Sequence, residues 1–241
     1  MNIAIIPARG GSKRIPRKNI RLFNGRPLIS YSIAAAQASG CFARIIVSTE
    51  DPEIAEVARD YGAETPFLRP ADLADDYIGT GAVVNHAVRW LQEQGISLNL
   101  ICCIYATAPL LTPEVLQEGM ERLQAAPDKL FAFSVTSFTF PIQRAVRLVE
   151  HGGVEPFQPD CIPKRSQDLE EAYHDAGQFY WGRAQAYLQG APMFAPHSIP
   201  IVLPRHRVQD IDTLEDWVRA EYLHRAIQMA ERESGEHRHS R

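Results

Sequence analysis

A cluster of cations follows the first apolar segment and gives this chain its clearest chemical signal. Two adjacent glycines, Gly10 and Gly11, allow the backbone to turn and bring its N–H groups close to a ligand. Five basic residues surround these glycines: Arg9, Lys13, Arg14, Arg17 and Lys18. No acidic residue precedes Glu50. A loop with this composition is suited to binding a polyphosphate.

The order of residues in the loop excludes a Walker A motif. That motif ends in Gly-Lys-Ser or Gly-Lys-Thr at the start of a helix, whereas here Ser12 precedes Lys13 and Pro16 follows. On residue types alone, a solvated basic loop at the surface stays an alternative.

A pair of carboxylates near the end of the chain is the second chemical signal. Asp210 and Asp212 are two residues apart, so in an extended segment they point to one side and can offer hard oxygen ligands to Mg²⁺. Asp212 also precedes Glu215 by three residues, which is the spacing of a capping box at a helix start. Both roles are left open by the sequence.

The elements that position these residues follow an alternating pattern. Short apolar runs predict buried strands over 3–6, 45–48 and 98–105, and periodic stretches predict helices over 31–38, 54–61 and 83–91. Thr112, Pro113 and Glu114 predict the start of a further helix that runs to about residue 126. This is the pattern of a Rossmann-like α/β fold, with a mostly parallel sheet flanked by helices. The cationic loop would then lie at the carboxyl ends of the strands, where such sheets bind ligands.

The pattern changes after residue 130. A strand over 131–136 and a hairpin turning at His151, Gly152 and Gly153 predict an inserted β region over about 130–172, with loop over 156–171. Strands over 177–181 and 199–203 return the chain to the main sheet, and a last helix opens at 212–215. We therefore predict a single domain over 1–230 and a polar, frayed tail over 231–241.

Composition narrows the function classes. With 241 residues, of which 45% are hydrophobic, the chain can bury one sizeable core. A net charge of −4 argues against a nucleic-acid partner. No apolar run approaches the roughly 20 residues of a membrane helix, and no signal-peptide pattern opens the chain. We expect free thiols, no membrane association and a cytoplasmic location.

The cationic loop resembles the signature that opens the CMP-sialic acid synthetases, which are cytidylyltransferases that activate nine-carbon acidic sugars. The matching residues read Ile-Pro-Ala-Arg-Gly-Gly-Ser-Lys over 6–13, followed by Pro16, Lys18 and Asn19. The resemblance implies that CTP binds here, with Lys13 and Arg9 as catalytic residues that stabilise charge on the phosphates. The implied nucleotide contacts in this loop are Ala8, Arg9, Gly10, Gly11, Ser12, Lys13 and Asn19.

Later segments extend the resemblance over most of the chain. Arg69 and Thr80 match the positions that read cytosine in the family. Tyr105 stands where sialic acid enzymes usually have glutamine, and Asp175 where they usually have asparagine. At these two positions the chain is similar to the branch of the family that activates pseudaminic acid. The acceptor contacts expected from the resemblance, and from the need of an acidic sugar for cations, are Tyr105, Thr107, Asp175, Gln178, Lys164 and Arg165.

The resemblance also implies a metal cofactor, a partner subunit and a pair of substrates, and it leaves alternative functions open. Asp210 and Asp212 would hold Mg²⁺, and the β insert would reach across a homodimer. The substrates would be CTP and pseudaminate, and the anomeric hydroxyl of pseudaminate would attack the α-phosphate of CTP. The alternative acceptors are N-acetylneuraminate or legionaminate, and more distantly an eight-carbon 3-deoxy-octulosonate. A catalytically silent nucleotide-binding module is the alternative from another class, and the presence of Lys13, Asp210 and Asp212 argues against it.

Overall fold

A computed structural model of the protein describes residues 1–74 and 79–239. The strands are β1 (Ile3–Pro7), β2 (Leu22–Phe23), β3 (Arg26–Pro27), β4 (Arg44–Ser48), β5 (Leu100–Ile104), β6 (Phe131–Ser137), β7 (Val146–Leu148), β8 (Val154–Pro156), β9 (Tyr173–Arg183) and β10 (Ser198–Val202). The helices are α1 (Leu28–Ser39), α2 (Pro52–Asp60), α3 (Thr80–Glu93), α4 (Pro113–Ala125), α5 (Ala184–Leu188) and α6 (Leu214–His239).

Six of these strands form one sheet, in the order β10, β6, β9, β5, β1, β4. β1 is parallel to both β4 and β5, and β10 is parallel to β6. Only β9 among the six runs against its neighbours, β5 and β6. The predicted α/β class with a mostly parallel sheet is confirmed.

Helices cover both faces of the sheet, which explains why its strands read as continuous apolar runs. In β1, Ala4 and Ile6 pack on the face that carries α1, α2 and α4. Ile3 and Ile5 point to the other face and pack with α3 and α5. The alternation along one strand therefore fills two cores, and the loop after β1 emerges from a rigid centre.

The start of α4 confirms part of the helix signal predicted at residues 112–114. Pro113 is the first residue of α4, but the side chain of Thr112 makes no capping hydrogen bond. At α2, Asp51 caps the helix by accepting from the N–H groups of Glu53 and Ile54. Asp51 also follows β4 at the edge of the sheet and contacts the cationic loop through Arg17.

The inserted region and the last helix differ from their predictions in detail. β7 and β8 form the predicted hairpin, and the expected loop that follows contains two short 3₁₀ turns, Pro159–Cys161 and Ser166–Asp168. α6 continues through residues 231–239, where the sequence predicts a frayed tail. Within residues 1–74 and 79–239, no helix is both long and apolar enough to span a membrane.

Candidate active site

The loop after β1 is tied to the end of β4 by its backbone. Ala8 N donates to the carbonyl of Ser48 at 3.0 Å, which continues the β1 and β4 pairing by one residue. Gly10 N donates to Glu50 Oε1 at 2.7 Å. The first two carboxylates of the chain, Glu50 and Asp51, thus follow β4 directly beside the loop.

Gly10 is required by its surroundings, whereas Gly11 is not. A Cβ atom added at Gly10 would lie 2.3 Å from Asp51 Oδ2 and 3.1 Å from Asp51 Cγ. Nothing lies within 4 Å of the same position at Gly11. The loop therefore approaches Asp51 as closely as a residue without a side chain allows.

Glu50 also fixes Arg69, one of the two residues predicted to read cytosine. The Arg69 side chain is 3% exposed and its guanidinium donates to Glu50 Oε2 through Nε and Nη2. Burial raises the pKa of Glu50, but Arg69 and the Gly10 N–H lower it by more, so its net shift is downward. Glu50 is therefore a half-buried anion that holds both Arg69 and the loop.

Four of the five loop cations differ in their surroundings, and Arg14 is described below with Asp212. Arg17 pairs with Asp51, the N-cap of α2, and with Glu53 in its first turn. Lys13 lies on the exposed side of the loop. Arg9 lines the cavity described next, together with Lys18. The cationic pattern of the sequence thus combines residues that shape the loop with residues that line a cavity.

A first cavity of about 290 Å³, here called the loop cavity, opens beside this loop. Asn19 lies in its wall and donates from Nδ2 to the carbonyl of Arg9 at 2.9 Å, so its amide supports the loop backbone. The described residues that line the loop cavity are Pro7, Arg9, Ser12, Lys18, Asn19, Arg69, Leu73, Ala74, Thr80, Val83, Tyr105, Ala106 and Thr107. Loop residues and both predicted base-reading residues therefore meet at one site.

A second cavity of about 510 Å³, here called the inner cavity, adjoins the first. Thr80 and Tyr105 line both cavities, and their hydroxyl oxygens are 3.4 Å apart. The described residues that line the inner cavity are Thr80, Gly81, Ala82, Val84, Asn85, Cys103, Tyr105, Phe131, Asp175, Tyr180, Ala186, Tyr187, Gly190, Ala191, Met193 and Phe194. The two cavities share one wall and form adjacent binding spaces.

Asp175 is held in the inner cavity by two donors. The Tyr180 hydroxyl donates to Asp175 Oδ2 at 2.6 Å, and Gly177 N donates to Asp175 Oδ1 at 2.9 Å. Burial raises the pKa values of Tyr105 and Tyr180, so both phenols keep their protons and can donate hydrogen bonds. The position that differs from the resembled family is therefore an oriented hydrogen-bond acceptor.

The other predicted acceptor contacts are located elsewhere, except Thr107, which lines the loop cavity. Gln178 is buried, and its Nε2 donates to the carbonyl of Arg207 at 2.5 Å. Lys164 and Arg165 are exposed on the insert, where Arg165 pairs with Asp168. None of these three residues lines either described cavity, so their contact with an acceptor stays a prediction.

The carboxylates of Asp210 and Asp212 lie next to loop cations. Asp212 Oδ1 is 3.0 Å from Arg14 Nη2 and 3.7 Å from Lys18 Nζ. Lys18 Nζ also donates to the carbonyl of Ile211 at 2.6 Å. Burial and the charge of Asp212 raise the pKa of Asp210, as expected for two anions brought together.

The start of α6 shows which residues cap the helix and so separates the two roles left open for Asp212. Thr213 and Asp216 form the capping box: Asp216 N donates to Thr213 Oγ1 at 3.2 Å, and Thr213 N donates to Asp216 Oδ2 at 2.8 Å. The box is therefore shifted by one residue from the predicted Asp212 and Glu215. The carboxylate of Asp212 is left to face Arg14 and Lys18.

The pair of aspartates fits a divalent cation. Two hard oxygen donors side by side are stabilised when a cation binds between them, and burial together with the charge of Asp212 already raises the pKa of Asp210. Among the described residues no cluster of three or more His, Cys, Asp or Glu side chains could hold a metal ion alone. Mg²⁺ ordinarily uses one or two protein carboxylates together with phosphate oxygens and water, so two aspartates are enough.

Sequence reasoning counted Lys18 among the loop cations without assigning it a contact, and it gave Glu50 no role. Lys18 was available in the loop motif, but its cavity position depends on the fold. Glu50 lies 19 residues before Arg69, so no local pattern joins them. Its only sequence signal is that it is the first acidic residue after a long basic segment.

Comparisons with known proteins agree with this geometry. A family model described as cytidylyltransferase matches residues 3–233. The pseudaminic acid cytidylyltransferase of Campylobacter jejuni is 50% identical over 93% of this chain and 96% of the relative. The CMP-N,N'-diacetyllegionaminic acid synthase of Legionella pneumophila is 32% identical over 92% of this chain and 95% of the relative.

Solved structures share the fold. A CMP:2-keto-3-deoxy-manno-octonic acid synthetase complexed with CTP superposes with a TM-score of 0.65 over 92% of this chain and 97% of that chain. The sequence identity is 16%, so this likeness concerns the architecture alone.

Proposed function

We propose that this chain, which belongs to the cytidylyltransferase family, transfers CMP from CTP to pseudaminic acid and releases diphosphate. The observation that carries the proposal is the pair of adjoining cavities, one beside the cationic loop and one with an oriented acceptor, joined at Thr80 and Tyr105. The 50% identity to a pseudaminic acid cytidylyltransferase over nearly the whole chain supports the choice of acceptor.

In this proposal CTP occupies the loop cavity. Arg9 offers a planar fork to phosphate oxygens, Lys18 adds a second charge, and Ser12 adds a hydroxyl. Arg69 and Thr80 would contact the cytosine edge. Because Glu50 holds the Arg69 guanidinium in one orientation, the base-reading group is set before the nucleotide arrives.

The acceptor would extend from the loop cavity into the inner cavity. Its anomeric hydroxyl attacks the α-phosphorus and gives up its proton to water, a new O–P bond forms, and the bond to the diphosphate oxygen breaks. Because no covalent enzyme intermediate is needed, the protein contributes by positioning and by stabilising charge. Lys13 can follow the negative charge that develops on the diphosphate as it leaves.

Asp210 and Asp212 would hold Mg²⁺ in this reaction. The ion, when bound, supplies positive charge to the phosphate oxygens. Lys18 and Arg14, which contact Asp212, connect this pair of carboxylates to the loop. Removal of divalent ions with EDTA should abolish turnover, and added Mg²⁺ should restore it.

We further propose that the protein is a homodimer that uses the insert. The insert exposes large apolar side chains, among them Phe140 (80% exposed), Leu148 (84%) and Phe157 (62%). Several large apolar side chains exposed in one segment are a common sign of a protein partner. Light scattering after size-exclusion chromatography should give the mass of two chains, and Phe140→Ser with Leu148→Ser should reduce it to one. We expect the reaction to take place in the cytoplasm, where CTP is made.

The experiment that tests the function is CTP-dependent diphosphate release with Mg²⁺. Pseudaminic acid, N-acetylneuraminic acid and legionaminic acid would be offered separately, and the product mass recorded. Turnover with pseudaminic acid in preference to the others supports the proposal. Preference for another sugar keeps the reaction and replaces the acceptor, while CTP binding without any turnover identifies a silent nucleotide-binding module.

A further inference from the structure

A row of hydroxyl groups runs from the inner cavity to the wall that it shares with the loop cavity. The Tyr180 hydroxyl donates to Asp175 Oδ2 at 2.6 Å. The rings of Tyr180 and Tyr105 lie against each other, with centroids 5.2 Å apart, and their side chains share a hydrogen bond. The hydroxyl oxygen of Tyr105 is in turn 3.4 Å from that of Thr80. These three hydroxyl residues, which end at Asp175, are here called the hydroxyl chain.

The carboxylate at the end of the hydroxyl chain sets the direction of each hydrogen bond in it. A carboxylate only accepts, so Tyr180 gives its single O–H to Asp175. The Tyr180 oxygen is then left to accept from Tyr105, and the Tyr105 oxygen is left to accept from Thr80. Burial raises the pKa values of both tyrosines, so both phenols keep the protons that this order requires.

Thr80 is the residue through which the hydroxyl chain reaches the loop cavity. It is the first residue of α3 and lines both cavities. Because its O–H is directed to Tyr105, its oxygen is left as an acceptor for a group bound in the loop cavity. Cytosine has an exocyclic amino group that donates, whereas uracil has a carbonyl oxygen at the same position of the ring. A hydroxyl fixed as an acceptor therefore pairs with cytosine and sets two acceptors against each other with uracil.

We infer that the hydroxyl chain fixes Thr80 as a hydrogen-bond acceptor and thereby selects cytosine over uracil. The inference rests on the proposed function, in which Thr80 contacts the base, and it gives Asp175 in the other cavity a part in base selection. A lone threonine hydroxyl could accept from cytosine or, after rotation, donate to uracil. In the hydroxyl chain this rotation would remove the donor from Tyr105. The chain as a whole cannot reverse, because the carboxylate at its end has no proton to donate.

The test measures the affinities for CTP and UTP by calorimetry, without any acceptor sugar. The unchanged protein should bind CTP more tightly than UTP. In Tyr105→Phe the hydroxyl of Thr80 is released and can donate to uracil, so the ratio of CTP affinity to UTP affinity should fall about tenfold, as expected for one hydrogen bond. Asp175→Asn should lower the same ratio, because an amide can donate and allows the chain to reverse.

The matched control is Tyr187→Phe. Tyr187 is buried and lines the inner cavity, but its hydroxyl donates to the backbone carbonyl of Tyr180 at 2.7 Å and so lies outside the hydroxyl chain. This variant should keep the ratio of CTP affinity to UTP affinity. Thr80→Val removes the hydroxyl and keeps the shape of the side chain. It should lower the ratio, and the addition of Tyr105→Phe to it should lower the ratio no further.

Asp175→Asn changes one oxygen to nitrogen and gives the same comparison if Tyr105→Phe does not fold. A ratio that stays unchanged in the folded variants, or losses that add in the double variant, would overturn this inference. CTP-dependent diphosphate release by the unchanged protein would then still support the proposed function. Equal affinities of the unchanged protein for CTP and UTP would likewise overturn the inference, and binding of neither nucleotide would overturn both.

Discussion

Glu50 offers the sharpest test of how the site is built, because one carboxylate holds both the loop and Arg69, the arginine proposed to read the base. Glu50 accepts from Gly10 N through one oxygen and from Arg69 through the other. Glu50→Ala would leave the guanidinium of Arg69, whose side chain is 3% exposed, without its anion. We predict that this variant loses both stability and affinity for CTP.

The magnitude follows from the burial of the pair. Removing one partner of a buried ion pair costs about 3–5 kcal/mol. Glu50 is 24% exposed, so the lower end applies, about 3 kcal/mol. For a chain of this size each kcal/mol lowers Tm by about 2–4 °C, which gives a decrease of about 6–12 °C.

The matched control is Glu53→Ala. Glu53 pairs with Arg17, but it is 65% exposed, and exposed pairs contribute about 0–1 kcal/mol. Thermal unfolding of both variants with and without CTP would measure the difference, and a double-mutant cycle of Glu50→Ala with Arg69→Ala would measure the coupling. Equal decreases in Tm for Glu50→Ala and Glu53→Ala, or a coupling energy near zero, would refute the role given to Glu50.

Three further predictions concern the loop itself. Lys13→Ala should lower kcat far more than the affinity for CTP, while Lys129→Ala changes neither; equal losses in kinetics and calorimetry would contradict a role in the transition state. Gly10→Ala should lower Tm and weaken CTP binding, because its Cβ meets Asp51 Oδ2 at 2.3 Å, whereas Gly11→Ala, with open space, should have little effect on Tm; similar Tm values would count against this close approach. The hydrogen bond from Arg17 lowers the pKa of Asp51. The stability that this carboxylate gives to the folded protein is therefore present above the unfolded pKa of about 3.9 and is lost as pH falls through the folded pKa. Urea unfolding of Asp51→Asn should therefore depend less on pH below about pH 4 than that of the unchanged protein, and parallel curves would disprove this.

Much of the fold could be predicted because local periodicity and burial agree. The apolar runs of β1, β4 and β5 lie within a sheet covered on both faces, and each was recognisable by its sequence alone. The direction of β9 could not be recognised from the sequence, since an aromatic strand pattern is the same whichever way the strand runs. Its antiparallel placement depends on where the insert returns the chain, which is a property of the whole fold.

The site could be predicted only in part, because its key contacts join distant segments. Arg17 was counted among the phosphate-facing cations, yet it pairs with Asp51 across 34 positions. Asp212 had two possible roles until Thr213 and Asp216 were found to cap α6 themselves. Residue types limited the chemistry correctly, but the partner of each cation is set by contacts between distant segments, as for Arg17 with Asp51 and Lys18 with Asp212.

The arrangement of charge along the chain has a physical reason. A loop with five cations and no anion of its own would repel itself and would not hold one conformation. The pairing of Pro7 in β1 with Ser48 in β4 places the next residues of both strands at one edge of the sheet. Glu50 and Asp51 are therefore delivered to the loop by the sheet itself, where they bind Gly10 N and Arg17. The start of the chain has no acidic residues, and the segment that follows the neighbouring strand β4 provides them as Glu50 and Asp51. Arg9 and Lys18 line the loop cavity.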